Sequence, residues 1–256
     1  MRLRVPDQSR RLPGRLRLVL ATIIALAGVT LDRARAADME FRWVSLGADG
    51  RCGRVPCPRV LEAVGAISHD TPAEFRRFVE REGNEPGARR AVLLHSPGGD
   101  LAASMRLGIE FRRLGMIVYV GRFVNAQTLE AHGLLTQGRT AKKEREQWGD
   151  AHPVNGICYS ACVFTFMGGV KRMVPQTSRL GVHRPTLIEE TFFGIPLFDR
   201  KKPGGWDINR IGDLERTYLR FMGANPQLVA LAHSVEPTTI RVLSPRELKR
   251  FRLVTR

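Results

Sequence analysis

The stretch from Ala91 to Val120 restricts the fold more than any other part of this chain. A short apolar run, Ala91 to Leu94, meets Ser96-Pro97-Gly98-Gly99-Asp100, and apolar residues then recur at helical spacing from Leu101 to Leu114. Gly115 ends that helix, and Met116 to Val120 reads as a second buried strand. A strand, a crossover helix and a strand in so short a span form a βαβ unit, which requires a parallel pair and a right-handed connection.

The alternation extends to both sides. Arg59 to Ile67 predicts a strand, and Thr71 with Glu74 three residues on predicts a capping box opening a helix that runs to about Glu82. Asn84-Glu85-Pro86-Gly87 reads as a turn, and Asp100 as the N-cap of the helix that follows it. Further on, Cys158 to Met167 predicts a buried helix closed by Gly168-Gly169, and Leu180 to His183 a strand. Residues 185–206 read as a loop, and Ile208 to Met222, Pro226 to His233 and Pro245 to Phe251 as helices. The expected class is α/β, built from repeated βαβ units. Residues 125–155 break the rhythm with polar and basic sequence, including Lys142-Lys143-Glu144-Arg145-Glu146. A structureless loop of that length is unusual in a compact domain. It reads as an insertion over the site with one short helix, either a lid or an ordinary surface excursion.

Residues 1–36 read as a targeting segment. Six arginines precede residue 18, Leu18 to Leu31 is apolar, and Ala34-Arg35-Ala36 has the small-x-small pattern of a cleavage site. The apolar run is short for a bilayer span, so a cleaved signal peptide is expected, with an uncleaved membrane anchor as the alternative. Residues 37–256 then form a single domain in the periplasm or outside the cell, long enough for a substantial core. The formal charge is +16, of which the first 36 residues hold +6. The rest is scattered singly with no RNA-binding aromatic motif, so a solvated basic surface is expected and no nucleic-acid partner. Four cysteines fall in two close pairs whose spacing does not match a structural zinc site. Disulfides or free buried thiols remain, with three connectivities open. Proximity and the inferred compartment favour Cys52 with Cys57 and Cys158 with Cys162, although two cysteines one helical turn apart would need a distorted helix start.

Three features carry chemistry. The Gly98-Gly99 turn exposes backbone N–H groups that can approach a ligand and hold an oxyanion. Ser160 sits near a predicted helix start, where negative charge is favoured and the Ala161 amide can be a further donor. His183 ends a strand, and Pro185 keeps Arg184 extended, so the imidazole can project as a general base. Taken singly, each has a plainer reading: a strand-to-helix turn, an N-capping serine, a structural histidine.

Their order changes the weighing. Ser96-Pro97-Gly98-Gly99, then Tyr159-Ser160-Ala161, Lys171-Arg172, Pro175 and His183-Arg184-Pro185 resemble the Clp protease proteolytic subunit within the Clp/crotonase superfamily, over roughly residues 60–256. Cys158 and Cys162 around the serine are similar to an uncharacterised secreted branch of that superfamily. The resemblance implies a Clp/crotonase-like fold, Ser160 as nucleophile, His183 as base, and an oxyanion hole from Gly98 or Gly99 with Ala161. It also implies a peptide or protein substrate, a homo-oligomer and no cofactor, while the ATPase partner of the cytosolic protease is not expected here.

One departure matters. The family's third catalytic residue is an aspartate, and the matching position falls near Ile240 with Thr239 beside it, ahead of Leu243-Ser244-Pro245. Glu236 is the nearest acid and the expected substitute, with Thr239 or a backbone carbonyl as alternative orienters of His183. The expectation is a secreted serine hydrolase of peptidase type. The alternatives are an inactive binding or scaffolding protein on the same fold, and a different acyl-transfer or lyase reaction in the same cleft.

Overall fold

The computed structural model describes residues 37–45, 58–84, 86–125, 151–185, 191–192, 195–196 and 208–255. Cys52, Cys57, the targeting segment and most of the 125–155 insertion lie outside these residues. The described part is mixed α/β. Strands β1 (Glu40–Ser45), β2 (Arg59–Val64), β3 (Ala88–His95), β4 (Ile117–Val120) and β8 (Lys171–Met173) form one sheet in the order β1-β2-β3-β4-β8. All its pairings are parallel except the antiparallel edge pair β1–β2. A second sheet has the order β12-β9-β7, from β7 (Ile157–Tyr159), β9 (Arg179–Val182) and β12 (Arg241–Val242).

The central strand shows why the sequence takes this form. Ala91 to Leu94 are buried on both faces of β3, which is why they read as a continuous apolar run rather than an alternating one. Val92 and Leu94 face the main core with α1 (Thr71–Glu82) and α2 (Leu101–Arg113). Ala91 and Leu93 face a smaller cluster with Val44 and Val60. Phe75 of α1 stacks edge-on with Phe111 of α2 at 5.1 Å between ring centres and meets Phe41 of β1 at 5.2 Å. Three short helices precede the C-terminus: α4 (Ile208–Phe221), α5 (Gln227–His233) and α6 (Pro245–Arg250), after α3 (Cys162–Met167) in the middle of the chain.

Close helix packing holds α3 in place. A side chain at Gly108 of α2 would collide with the Tyr218 hydroxyl and the Phe164 carbonyl, so only glycine lets these backbones approach. Thr165 donates to the Ser104 carbonyl at 2.9 Å, and Tyr218 donates to the Phe164 carbonyl at 2.7 Å. Below α3, buried Arg172 donates to the carbonyls of Leu253, Gly169 and Arg252, and Arg112 donates to those of Met167 and Met222. Among the described residues no carboxylate serves either guanidinium. The carbonyl-rich C-terminal ends of α3, α4 and α6 carry the compensating partial negative charge. Burial, and then the charge of Arg112, pulls the Arg172 pKa down to about 10.

The structure departs from the sequence reading in local ways. Asp100 caps α2 as expected, accepting from the Ala103 amide at 2.6 Å. The capping box at Thr71 does not form: Thr71 already lies inside α1, Pro72 occupies the first turn, and the Thr71 hydroxyl accepts from the Ser68 amide. The box motif occurs instead at Ser244 and Glu247 of α6. The helix expected from Cys158 begins only at Cys162, because Ile157 to Tyr159 pair with β9 as a strand. The insertion opens and closes as an antiparallel hairpin, β5 (Arg122–Asn125) with β6 (Ala151–Val154), and the 185–206 loop contains the small pair β10 (Thr191–Phe192) and β11 (Ile195–Pro196).

Candidate active site

Ser160 lies on the turn between β7 and α3. At the end of β3, Ser96 takes over strand pairing from β4: its amide donates to the Ile157 carbonyl at 2.8 Å, and its carbonyl accepts from the Tyr159 amide at 3.1 Å. The chain then leaves the sheet through Ser160, whose φ is +56°. A left-handed backbone is uncommon outside glycine and costs about 1–2 kcal/mol. It persists where the surroundings over-determine it, and here they do. The Ser160 amide donates to the Gly181 carbonyl at 3.0 Å, and the Ser160 carbonyl accepts from the Val163 amide at 3.1 Å. A disulfide joins Cys158 to Cys162 across the same turn, with both cysteines fully buried. The bridge spans a strand end and a helix start, so the expected clash with a regular helix does not arise. A serine on a sharp strand-to-helix turn presents its hydroxyl outward from the sheet, the arrangement of a nucleophile elbow.

The glycine turn packs against this serine. Gly98 has φ +108°, and a side chain there would lie 2.8 Å from Ser160 Cβ and 2.7 Å from the Tyr159 carbonyl oxygen. The Gly98 amide is engaged, donating to the buried Ser96 hydroxyl at 3.1 Å. Gly99 is held by bonds on either side of it, from the Ile67 amide to the Gly98 carbonyl and from the Asp100 amide to the Ile67 carbonyl, both 2.8 Å. Among the described residues no acceptor meets the amides of Gly99 or Ala161. Of the three expected oxyanion donors, Gly99 and Ala161 therefore have free N–H groups and Gly98 does not.

His183 follows β9, the strand parallel to β7 and adjacent to it. Ser160 and His183 thus leave the carboxyl ends of neighbouring parallel strands, the edge at which open α/β sheets place their ligands. No hydrogen bond joins their side chains. Burial pushes the His183 pKa below 6.5, against a smaller upward pull from the Arg184 backbone. Among the described residues its buried Nδ1 has no partner that meets hydrogen-bond geometry. Across the antiparallel pair Arg241 faces Val182, and Ile240 and His183 each stand one residue beyond the end of that ladder. Ile240 lies on the same face as Gly181, close to where a Gly181 side chain would begin.

Glu236, the expected orienter, makes its ion pair with Arg184 in this structure, at 2.8 Å, and is 70% exposed. The Arg184 amide donates to the Val235 carbonyl, which brings Glu236 beside the guanidinium one residue past the histidine. Thr239 is exposed and its amide donates to the Glu236 carbonyl, closing a turn. A further residue escaped the sequence reading. His95, immediately before Ser96, accepts from the Ile157 amide through Nδ1 at 3.2 Å. Its place one residue ahead of the Ser-Pro-Gly-Gly turn was the available signal.

No protein-family model matches the sequence, and no curated protein matches it. Among solved structures the chain is similar to a Ser-to-Ala mutant of the 1510-N membrane-bound stomatin-specific protease, at 16% identity and TM-score 0.44 over 75% of each chain. It is similar to a Lys-to-Ala mutant of that protease in complex with a substrate peptide, at 15% identity and TM-score 0.43 over 75% of this chain and 71% of the other. It is also similar to ClpP1 from Listeria monocytogenes, at 14% identity and TM-score 0.42 over 74% of this chain and 84% of the other.

Proposed function

We propose that this chain is a serine hydrolase of peptidase type. The carrying observation is the left-handed Ser160, clamped at the end of β7 beside a glycine turn and one strand away from His183. Ser160 is the nucleophile and His183 the base that takes its proton. A base kept neutral by burial is ready to accept that proton near neutral pH. Attack on an acyl carbon forms a tetrahedral oxyanion, which the Gly99 and Ala161 amides can hold; one such donor is worth about 10²- to 10³-fold in rate. Return of the proton from His183 to the leaving amine frees the first product, and water repeats the cycle on the acyl-enzyme. The motif order supports a peptide or protein as substrate and assembly into a homo-oligomer. The targeting segment and the Cys158–Cys162 bridge support action in the periplasm or outside the cell, where no ATPase partner is expected.

The second reading, a binding protein that kept the fold, is favoured by one observation: among the described residues no acceptor meets His183 Nδ1. Without an orienter a Ser-His pair works slowly. Fluorophosphonate labelling of the mature protein separates the two. The hydrolase reading expects a single adduct on Ser160 that is absent from Ser160→Ala. A folded protein that takes no label identifies the binding protein.

A further inference from the structure

We infer that His95 is a positioning residue that couples the Ser160 turn to pH: neutral, its Nδ1 anchors β7 through the Ile157 amide; protonated, it releases it. This rests on the proposed role of Ser160. A hydrogen bond from a backbone N–H needs a ring nitrogen with a free lone pair. With Nδ1 as acceptor the neutral ring carries its proton on Nε2. Protonation turns Nδ1 into a donor aimed at another donor, so the bond is not weakened but reversed into repulsion.

The place of this bond gives it leverage. β7 is three residues long, and Ile157 is its first residue while Ser160 follows its last. On the β3 side, β7 is tied by the two backbone bonds of Ser96 and by the His95 ring. Losing the ring contact loosens the strand that sets the left-handed turn. It also strains the Ser96 segment that leads into Gly98 and Gly99, so nucleophile and oxyanion donors shift together.

The charges around the ring tune the switch. By register Glu62 of β2 and Tyr119 of β4 share the His95 face of the sheet. Arg122 of β5 opposes the imidazolium and Glu62 favours it, with burial the largest influence; together they lower the pKa below 6.5. Glu62 is itself taken up by Arg42 and by the Phe123 amide. Tyr119 stays neutral, its pKa raised by burial. From β7 the ring meets the Ile157 amide. The neutral, anchored form is thus the resting state at neutral pH, and mild acid disengages it.

The test follows the rate of fluorophosphonate labelling from about pH 4.5 to about pH 8, alongside the backbone amide resonance of Ile157. Two imidazoles must be neutral in the parent, so its labelling rate falls about a hundredfold per pH unit at the acid end. His95→Asn places an amide oxygen where Nδ1 was and cannot titrate. It keeps the neutral-pH rate within about threefold and its acid limb falls about tenfold per unit. His95→Leu removes the acceptor and labels slowly at every pH while remaining folded. In the parent the Ile157 amide titrates in step with the His95 ring. An unchanged acid limb in His95→Asn, or an Ile157 amide indifferent to His95 protonation, overturns the inference. If the parent takes no label at any pH the hydrolase reading falls, and the Ile157 titration alone then decides the switch.

Discussion

Replacing Ile240 with aspartate is expected to speed the reaction rather than harm it. Residue 240 and His183 each stand one step past the paired Arg241 and Val182, where extending the ladder would bring facing Cβ atoms to about 4.5–5.5 Å. That is within reach of a carboxylate to the imidazole. His183 Nδ1 is buried with no partner among the described residues, a state that costs about 1–3 kcal/mol. A charge-assisted bond to it is worth about 1.5–3 kcal/mol, and the imidazolium that forms in the transition state gains most of that. At about 1.4 kcal/mol per tenfold, Ile240→Asp should raise the labelling rate of Ser160 about 10- to 100-fold at neutral pH. Two side effects follow. The added negative charge raises the His183 pKa, so the acid limb moves to higher pH. Loss of a half-buried isoleucine lowers stability by about 1–2 kcal/mol. The assay is a fluorophosphonate time course across pH, with urea unfolding in parallel and Ile240→Asn as the uncharged control. A folded Ile240→Asp protein that labels no faster than the parent, with its acid limb unmoved, would refute the reasoning. Equal gains in the Asn control would assign the effect to polarity rather than charge.

Four further outcomes are expected. Because burial lowers the His183 pKa, protons bind the unfolded chain preferentially below pH 6.5; this contribution to stability is complete above that pH and is lost as pH falls through the folded value, measurable as a dropping urea midpoint. Glu236→Gln should change the labelling rate less than about threefold, since exposed ion pairs contribute about 0.2–1 kcal/mol and its partner is Arg184. Cys158→Ala with Cys162→Ala should slow Ser160 labelling about tenfold or more while the protein stays folded, because the turn loses its cross-link; the readout is the rate constant beside the circular dichroism spectrum. Arg172→Met should destabilise by about 3–5 kcal/mol in urea unfolding, as it strands three buried carbonyls at two helix ends.

Much of the frame was legible because each element obeyed its local rule. The βαβ unit from Ala91 to Val120 and the Asp100 cap follow from burial on both faces of β3 and from an acid one residue ahead of a helix. The helix start at Cys158 failed because apolar periodicity over so few residues cannot separate a buried strand from a buried helix. Pairing with β9, a contact across the fold, decided it. Short strands such as β12 and β8 carry too few residues to show a period. The site divides in the same way. Ser160, His183 and the glycine pair announced themselves by order along the chain. The partnering of Glu236 with Arg184 and the place of Ile240 one step past the β9–β12 ladder depend on registers between distant segments. His95 stands beside the Ser-Pro-Gly-Gly turn in the sequence, but its role depends on the bond from the Ile157 amide, 62 residues away.

The β5–β6 hairpin has a consequence for how the chain can be cut. Asn125 and Ala151 are register partners, so residues 126–150 depart from and return to the same point of the fold. Replacing this excursion with a two-residue Asn-Gly turn shortens the closed loop by roughly tenfold, which by loop-closure entropy alone favours the folded state by about 2 kcal/mol. The pairing of Asn125 with Ala151 makes this the place to cut. A trimmed chain that folds with Ser160 still reactive would give the excursion the standing of a fitting added for substrate or partner rather than a part of the frame.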